Sequence, residues 1–399
     1  MTDDLFKRTR DLFEIPDGVI YLDGNSLGMM PKAARARVLK ELDESWGREL
    51  IRAWNTAGWI DLPARIGDRI GELIGAPKGS VIVADSTSIN LFKALNAALS
   101  LAGDRQVILS DSGNFPTDLY VAQGVIKLLD RGHRLKVVAP EEVEAAIDEY
   151  TAVLMLTEVD YRTGRKHDMK ALTAKAHQMG AVTVWDLAHS AGALPVDLTG
   201  AKTEFAIGCS YKYLNGGPGA PAFIYVRPDV QARVEPALSA WMGHAAPFAF
   251  PLDYTPAPAI DRMRTGTPPI LSMTALDAAL AAWDGVDIQA VRVRSIELSE
   301  RFIAGVEAAC PDLVLASPRD PQTRGSQVSF RFHEGYAAMQ ALIADGVIGD
   351  FRAPDIMRFG FTPLYLSLDD VDEAVARLKR IMDEKRWDRP EFKARSKVT

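Results

Sequence analysis

The middle of the chain alternates short apolar runs with amphipathic stretches. Residues 80–84, 106–110, 135–139, 152–156, 182–185, 205–208 and 221–226 are dominated by apolar and β-branched side chains. Several show almost no in–out alternation, the mark of strands buried on both faces. Between many of them lie helical patterns. In 87–101 the side chains of Leu91, Leu95, Ala98 and Leu99 fall on one stripe, and Gly103 ends the helix. The stretches 141–150 and 169–179 read the same way. Alternating β and α elements of this length predict an α/β fold whose mainly parallel, seven-stranded-type sheet is covered by helices.

The last hundred or so residues change character. A helix is predicted over 287–309, a strand over 327–332 and a second helix over 336–345. A closing helix over 368–385 is preceded by Ser367, with Asp370 three positions on, which predicts a capping box. This reads as a smaller α+β domain. The division expected is an N-terminal segment, 1–50, packing with the small domain, a large domain at 51–285 and the small domain at 286–399. The polar tail 390–399 is expected to fray.

Composition narrows the function classes. With 47% apolar and 25% charged residues, the chain is no disordered, collagenous or fibrous protein. A net charge of −7 without a long basic run argues against a nucleic-acid partner. Cys209 and Cys310 make neither a disulfide framework nor a CxxC zinc site, so no metal is expected. The N-terminus lacks an apolar signal core, and no stretch of about 18 uncharged apolar residues could cross a membrane. A cytoplasmic location fits best.

Three local patterns could carry chemistry. Ser86-Thr87-Ser88 sits where a buried strand meets a helix, so its hydroxyls either cap the helix or help its N-terminus hold an anion. The strand at 182–185 delivers Asp186 at its carboxyl end, where open α/β sheets bind ligands, with His189 on the following turn. Read alone, Asp186 could simply cap the next helix. The third pattern is Gly208-Cys-Ser-Tyr211-Lys212-Tyr-Leu-Asn-Gly-Gly217, a lysine at the end of a buried strand. Desolvation there lowers the amine pKa from about 10.4 and makes a Schiff-base nucleophile, unless the side chain snorkels to solvent. Phosphate cup, strand-end aspartate and strand-end lysine, in that order, are the parts pyridoxal phosphate requires: a phosphate anchor, a partner for the pyridine nitrogen and an amine for the aldehyde.

This order resembles fold-type I pyridoxal phosphate enzymes of the class V aminotransferase-like branch. Within it the chain resembles the kynureninases, of bacterial type, along nearly its whole length. The segments that carry the resemblance are Tyr21-Leu-Asp-Gly-Asn-Ser-Leu-Gly28, Phe115-Pro-Thr-Asp118, Trp185-Asp-Leu-Ala-His189, Ser210-Tyr-Lys-Tyr-Leu-Asn-Gly-Gly217, Arg264-Thr-Gly-Thr-Pro-Pro-Ile270 and Met357-Arg358.

The resemblance implies that Lys212 carries the cofactor, that Asp186 pairs with its ring nitrogen and that His189 lies beside the ring. Phe115 would stack on the pyridine face, with Asp118 at the pocket edge and Ser86, Thr87 and Tyr211 on the phosphate side. Trp241 and Thr267 would reach the phosphate of the other subunit of a homodimer. Arg358 would clamp the substrate α-carboxylate through its bidentate fork, and Tyr211 would do acid–base work if a nearby cation or the phosphate tuned it. Asn55 and Trp59, in a loop-like stretch with Trp54, could face the aryl group. The implied reaction is hydrolytic Cβ–Cγ cleavage of L-kynurenine to anthranilate and L-alanine in tryptophan breakdown, a route that also feeds NAD biosynthesis. 3-Hydroxykynurenine would be the lesser substrate.

An aminotransferase of the same branch would use the same Lys212 and Asp186. A cysteine desulfurase needs a reactive cysteine on a small-domain loop, and 317–326 has none. A catalytically dead regulator would have lost the lysine or the aspartate, and both are present.

Overall fold

The computed structural model describes residues 2–394. In chain order the first strands are β1 (Ile20–Tyr21), β2 (Val81–Val83), β3 (Val107–Asp111), β4 (Arg134–Val138), β5 (Thr151–Thr157), β6 (Val182–Asp186), β7 (Phe205–Gly208) and β8 (Phe223–Val226). All but β1 form one seven-stranded sheet in the order β2-β8-β7-β6-β5-β3-β4. Each of the seven apolar runs supplies one strand. β8 runs antiparallel to both neighbours, and β7-β6-β5-β3-β4 are parallel throughout. Every residue of β2, β3 and β5 to β8 is buried, and only the edge strand β4 is partly exposed. The near-continuous apolar runs follow from that two-sided cover.

The helices fall close to their patterns. Thr87–Leu101 packs against β6 and β7 through the predicted stripe, and Met169–Gln178 covers the same sheet. The 141–150 helix is cut to a 3-10 turn at Pro140–Glu142 and one helical turn at Val143–Ala146. The cause is local. Asp148 Oδ1 accepts from the Tyr150 N–H and the Thr151 hydroxyl, a side-chain turn that competes with the helix ladder.

Downstream come β9 (Val314–Leu315), β10 (Gln327–Arg331), β11 (Val347–Ile348), β12 (Asp350–Arg352) and β13 (Ile356–Gly360). An antiparallel sheet of order β12-β13-β10-β9 carries the helices Ile288–Ala309, Gly335–Ala344 and Leu368–Asp383. The capping box is present: Asp370 N–H donates to Ser367 Oγ at 3.1 Å, and Ser367 N–H to Asp370 Oδ2 at 2.8 Å. Residues 390–393 form one more helical turn, while 395–399 of the tail lie outside the described residues.

β1 pairs in parallel with β11. From there the chain crosses to the large sheet, where Gly28 N–H donates to the Tyr211 carbonyl at 2.7 Å. The stretch around Asn55 is helical, not a loop: a π-helical segment at Glu41–Glu49 and a 3-10 turn at Leu50–Arg52 lead into Ala53–Thr56.

Candidate active site

The parallel strands end on one edge of the sheet, and the chemistry gathers there. β6 ends in Asp186, and β7, its neighbour, leads through Cys209 and Ser210 to Tyr211 and Lys212. Lys212 is partly exposed, but packing around its amine lowers the amine pKa, because an ammonium would lose its hydration there. Its Nζ lies 3.2 Å from His189 Nε2. His189 is buried, and its pKa is driven well below the ordinary value by burial and by the charges of Lys212, Arg358 and Arg352. The ring is held neutral.

Asp186 and Asp118 are both buried. Asp186 Oδ1 accepts from the Ala188 N–H at 2.7 Å, and its pKa is raised by burial against the pull of Lys212. Asp118 sits in the first turn of the Pro116–Leu129 helix, its pKa raised well above the carboxylate range by burial and by Asp186. Its Oδ2 is buried without a hydrogen-bond partner. Phe115, three residues earlier, keeps its ring 43% exposed, set edge-on to Tyr161 at 5.1 Å between centroids.

Ser86 is the N-cap of Thr87–Leu101, its Oγ accepting from the Ile89 N–H, and the N–H groups of the first turn have no partner within the helix. Beside that terminus is a cavity of about 260 Å³ lined by Asp85, Gly219, Arg264, Thr265 and Thr267 among others. Asp85 is braced by Lys93 Nζ at 2.8 Å and by Thr265 Oγ1 at 2.6 Å, and Lys93 itself is fully buried.

This donor set fits pyridoxal phosphate. A buried carboxylate pair with an unused oxygen suits a protonated ring nitrogen. A helix terminus with free N–H groups suits the phosphate, and a desolvated amine suits the aldehyde.

The structure thus brings together Lys212, Asp186, His189, Asp118 and Tyr211, with Thr267 lining the cavity beside the Ser86–Thr87 terminus. Five predicted residues stand differently. The Tyr211 phenol was expected to need tuning by a cation or by the cofactor phosphate; Lys212 Nζ lies 5.8 Å from its ring centroid, yet the neighbouring Cys209 and burial raise its pKa. It is built to keep its proton. Trp59 donates from Nε1 to Glu41 Oε1 at 2.6 Å and packs on Trp54, and no contact joins it or Asn55 to the Lys212 cluster among the described residues. Trp241 packs on Phe248 and Phe250 of its own loop. Arg358 is buried, and most of its donors are already engaged by Asp350, Ser26 and the Tyr161 carbonyl. Asp350, Arg352, Asp23 and Asp85 were not singled out from sequence. The one available signal was an aspartate and an arginine two positions apart, Asp350 and Arg352, shortly before the Met357-Arg358 motif.

Residues 291–378 match the family model described as the kynureninase C-terminal domain. The chain is 51% identical over 404 residues to a kynureninase of Burkholderia pseudomallei (strain 1106a), covering 100% of this chain and 97% of that protein. It is 51% identical over 397 residues to a kynureninase of Pseudomonas fluorescens, covering 98% and 95%. Among solved structures it is similar to a cysteine desulfurase from Thermococcus onnurineus NA1, with a TM-score of 0.78, 19% identity and coverage of 95% and 98%. A C-DES mutant with glycine covalently linked to its PLP cofactor gives a TM-score of 0.80 at 17% identity, covering 93% and 98%.

Proposed function

The chain belongs to the kynureninase family, and on that premise we propose that it hydrolyses L-kynurenine to anthranilate and L-alanine with the residues gathered at the ends of β6 and β7. Its cofactor is pyridoxal 5′-phosphate. The aminotransferase alternative is not favoured by relatives half identical along the whole chain. The desulfurase alternative lacks a reactive cysteine, since Cys209 and Cys310 are both buried.

When bound, the cofactor acts as the electron sink for the substrate's α-carbon. Lys212 would hold its aldehyde end, Asp186 its ring nitrogen and the Ser86–Thr87 terminus its phosphate. Phe115 and His189 would hold the ring between them, the neutral imidazole adding no charge there. Because burial keeps the Lys212 amine available as a base, Lys212 takes the proton from the substrate Cα. The Tyr211 phenol, kept protonated by its surroundings, supplies a proton at the carbonyl oxygen or at Cβ as water adds to the γ-carbonyl and the Cβ–Cγ bond breaks. Arg358 holds the α-carboxylate, and Asn55 and Trp59 are the residues proposed for the aryl end. Kynurenine is preferred to its 3-hydroxy analogue.

The exposed Phe248, Phe250 and Leu252 around Trp241 support a homodimer in which Trp241 and Thr267 complete the partner's phosphate site. Two unpaired buried cysteines support a cytoplasmic location. The pairing of β1 with β11 supports the division into 1–50, 51–285 and 286–399, with the first segment packing on the last.

The observation that carries the reading is the Lys212 amine beside His189, with Asp186 and Asp118 buried next to it. Purified protein with pyridoxal phosphate and L-kynurenine should release anthranilate, followed by fluorescence, and alanine in equal amounts. Lys212→Ala should abolish this while keeping the circular dichroism spectrum. Normal turnover by that variant, or a keto acid in place of anthranilate, would overturn the reading.

A further inference from the structure

The substrate-carboxylate site is built by two short strands. β12 and β13 pair antiparallel with Asp350 directly opposite Arg358, and Arg352 lies two residues from Asp350 on the same face. Arg358 has five N–H donors. Nε donates to Asp350 Oδ1 at 2.8 Å, and Nη2 donates to Asp350 Oδ2 and, at 2.7 Å, to Ser26 Oγ. One Nη1 hydrogen goes to the Tyr161 carbonyl at 2.5 Å. A single N–H remains, so Arg358 as placed cannot offer the two parallel donors of a bidentate grip.

Arg352 supplies what is missing. It is bound to the same two groups, donating from Nη2 to Asp350 Oδ2 at 2.8 Å and to Ser26 Oγ at 3.2 Å, and from Nη1 to the Phe351 carbonyl at 3.2 Å. That leaves its Nε–H and one Nη1–H. Its side chain is 33% exposed where that of Arg358 is 2% exposed. Both guanidinium charges are felt at Lys212 and His189. Burial would raise the Asp350 pKa, but the two arginines outweigh it and hold the carboxylate ionised.

We propose that Asp350 is the positioning residue of the carboxylate site, and that it holds Arg358 and Arg352 together as a two-guanidinium clamp in which Arg352 makes part of the contact with the amino-acid carboxylate. The clamp rests on the reading of Arg358 given above. Asp350 holds Arg358 with one N–H unused and Arg352 with two, on neighbouring positions of the same hairpin. Burial and the Asp350 charge push the Asp23 carboxyl well up, which leaves Asp350 as the counter-ion of the pair.

The test uses the cofactor-loaded enzyme. Asp350→Asn should raise KM for L-kynurenine about tenfold or more while kcat stays within about threefold. Arg352→Gln should raise KM about fivefold, and the double variant should fall short of the product of the two effects, because both act through one clamp. Inhibition by kynuramine, which has the aryl ketone and amine but no carboxylate, should be unchanged in all three. A residue that merely supported the fold would move both. If Arg358→Gln leaves KM unchanged, the reading of Arg358 fails. If that variant raises KM but Asp350→Asn and Arg352→Gln leave it within about twofold, the two-arginine clamp is refuted and Arg358 acts alone. Should Asp350→Asn not fold, Arg352→Gln at its partly exposed site decides.

Discussion

Gly28 is the narrowest point between the N-terminal segment and the lysine loop, and a methyl group there tests how the site is held. A Cβ at Gly28 would lie 2.2 Å from the Lys212 carbonyl oxygen, 2.5 Å from Asn215 Oδ1 and 2.6 Å from Asn215 Cα. Two of these are backbone atoms of a turn closed by the Asn215 N–H on the Lys212 carbonyl, so the loop cannot yield cheaply. The N-terminal segment must retreat by about 1 Å to restore ordinary contact. Retreat stretches the Gly28 N–H bond to the Tyr211 carbonyl, costing about 1 kcal/mol, and the crowding adds about 1–3 kcal/mol. Gly28→Ala should therefore destabilise the protein by about 2–4 kcal/mol in urea unfolding. A misplacement of that size beside Tyr211 and Lys212 should also cut kcat/KM by about 10²-fold in the anthranilate assay. Gly124→Ala is the matched control, exposed on the Pro116–Leu129 helix with nothing near its Cβ, and should leave activity alone. Wild-type stability and kcat/KM in Gly28→Ala would refute the reasoning.

The other predictions are independent of that contact. Ser367→Ala removes one half of the capping box and should cost about 1 kcal/mol in urea unfolding with kcat/KM unchanged. Tyr211→Phe keeps the ring and loses the proton, so kcat should fall about 10²–10⁴-fold while cofactor absorbance is retained. Burial pushes the Glu158 carboxyl up to about 7 from its ordinary value of 4.5. Its contribution to stability is then complete below about pH 4.5 and is lost as pH rises through 7, since the buried group must ionise. Glu158→Gln should match wild type near pH 4.5 and be more stable by about 2–3 kcal/mol at pH 8. An equal difference at both pH values would show that Glu158 does not titrate in the folded protein.

What the sequence made legible was local. The seven strands, the Thr87–Leu101 helix and the Ser367 cap each depend on a few neighbouring residues, and each formed as its pattern predicts. Asp186 and Lys212 were legible for the same reason, since each stands at the end of a buried run. The helix expected at 141–150 failed because one side chain, Asp148, offers the backbone another partner, which periodicity cannot see. Asp350 escaped notice because its meaning comes from Arg358 across a hairpin, and from Ser26 brought in from the other end of the chain. In the sequence it is one acid among 53 acidic residues, and nothing nearby marks it as buried.

The residues proposed for the chemistry and those proposed to recognise the amino acid lie on different sheets. Lys212, Asp186 and Asp118 stand on the edge of the large sheet, rigid because its strands are buried on both faces. Arg358, Arg352 and Asp350 stand on the small sheet. The residues between β1 and Gly28 tie one to the other. Leu22 N–H donates to the Ile348 carbonyl and Gly360 N–H to the Leu22 carbonyl, both at 2.7 Å, while Ser26 reaches Asp350 and Gly28 reaches Tyr211. A second tie runs through Tyr161, whose ring meets Phe115 and whose carbonyl takes Arg358 Nη1. The span from the amine to the carboxylate clamp is thus set by two short backbone-anchored bridges, and not by the flexible side chains that make the contacts. On the roles proposed above for Lys212 and Arg358, the Tyr21–Gly28 motif would serve catalysis without reacting: its glycine and serine would fix how far an α-carboxylate sits from the lysine that removes the α-proton.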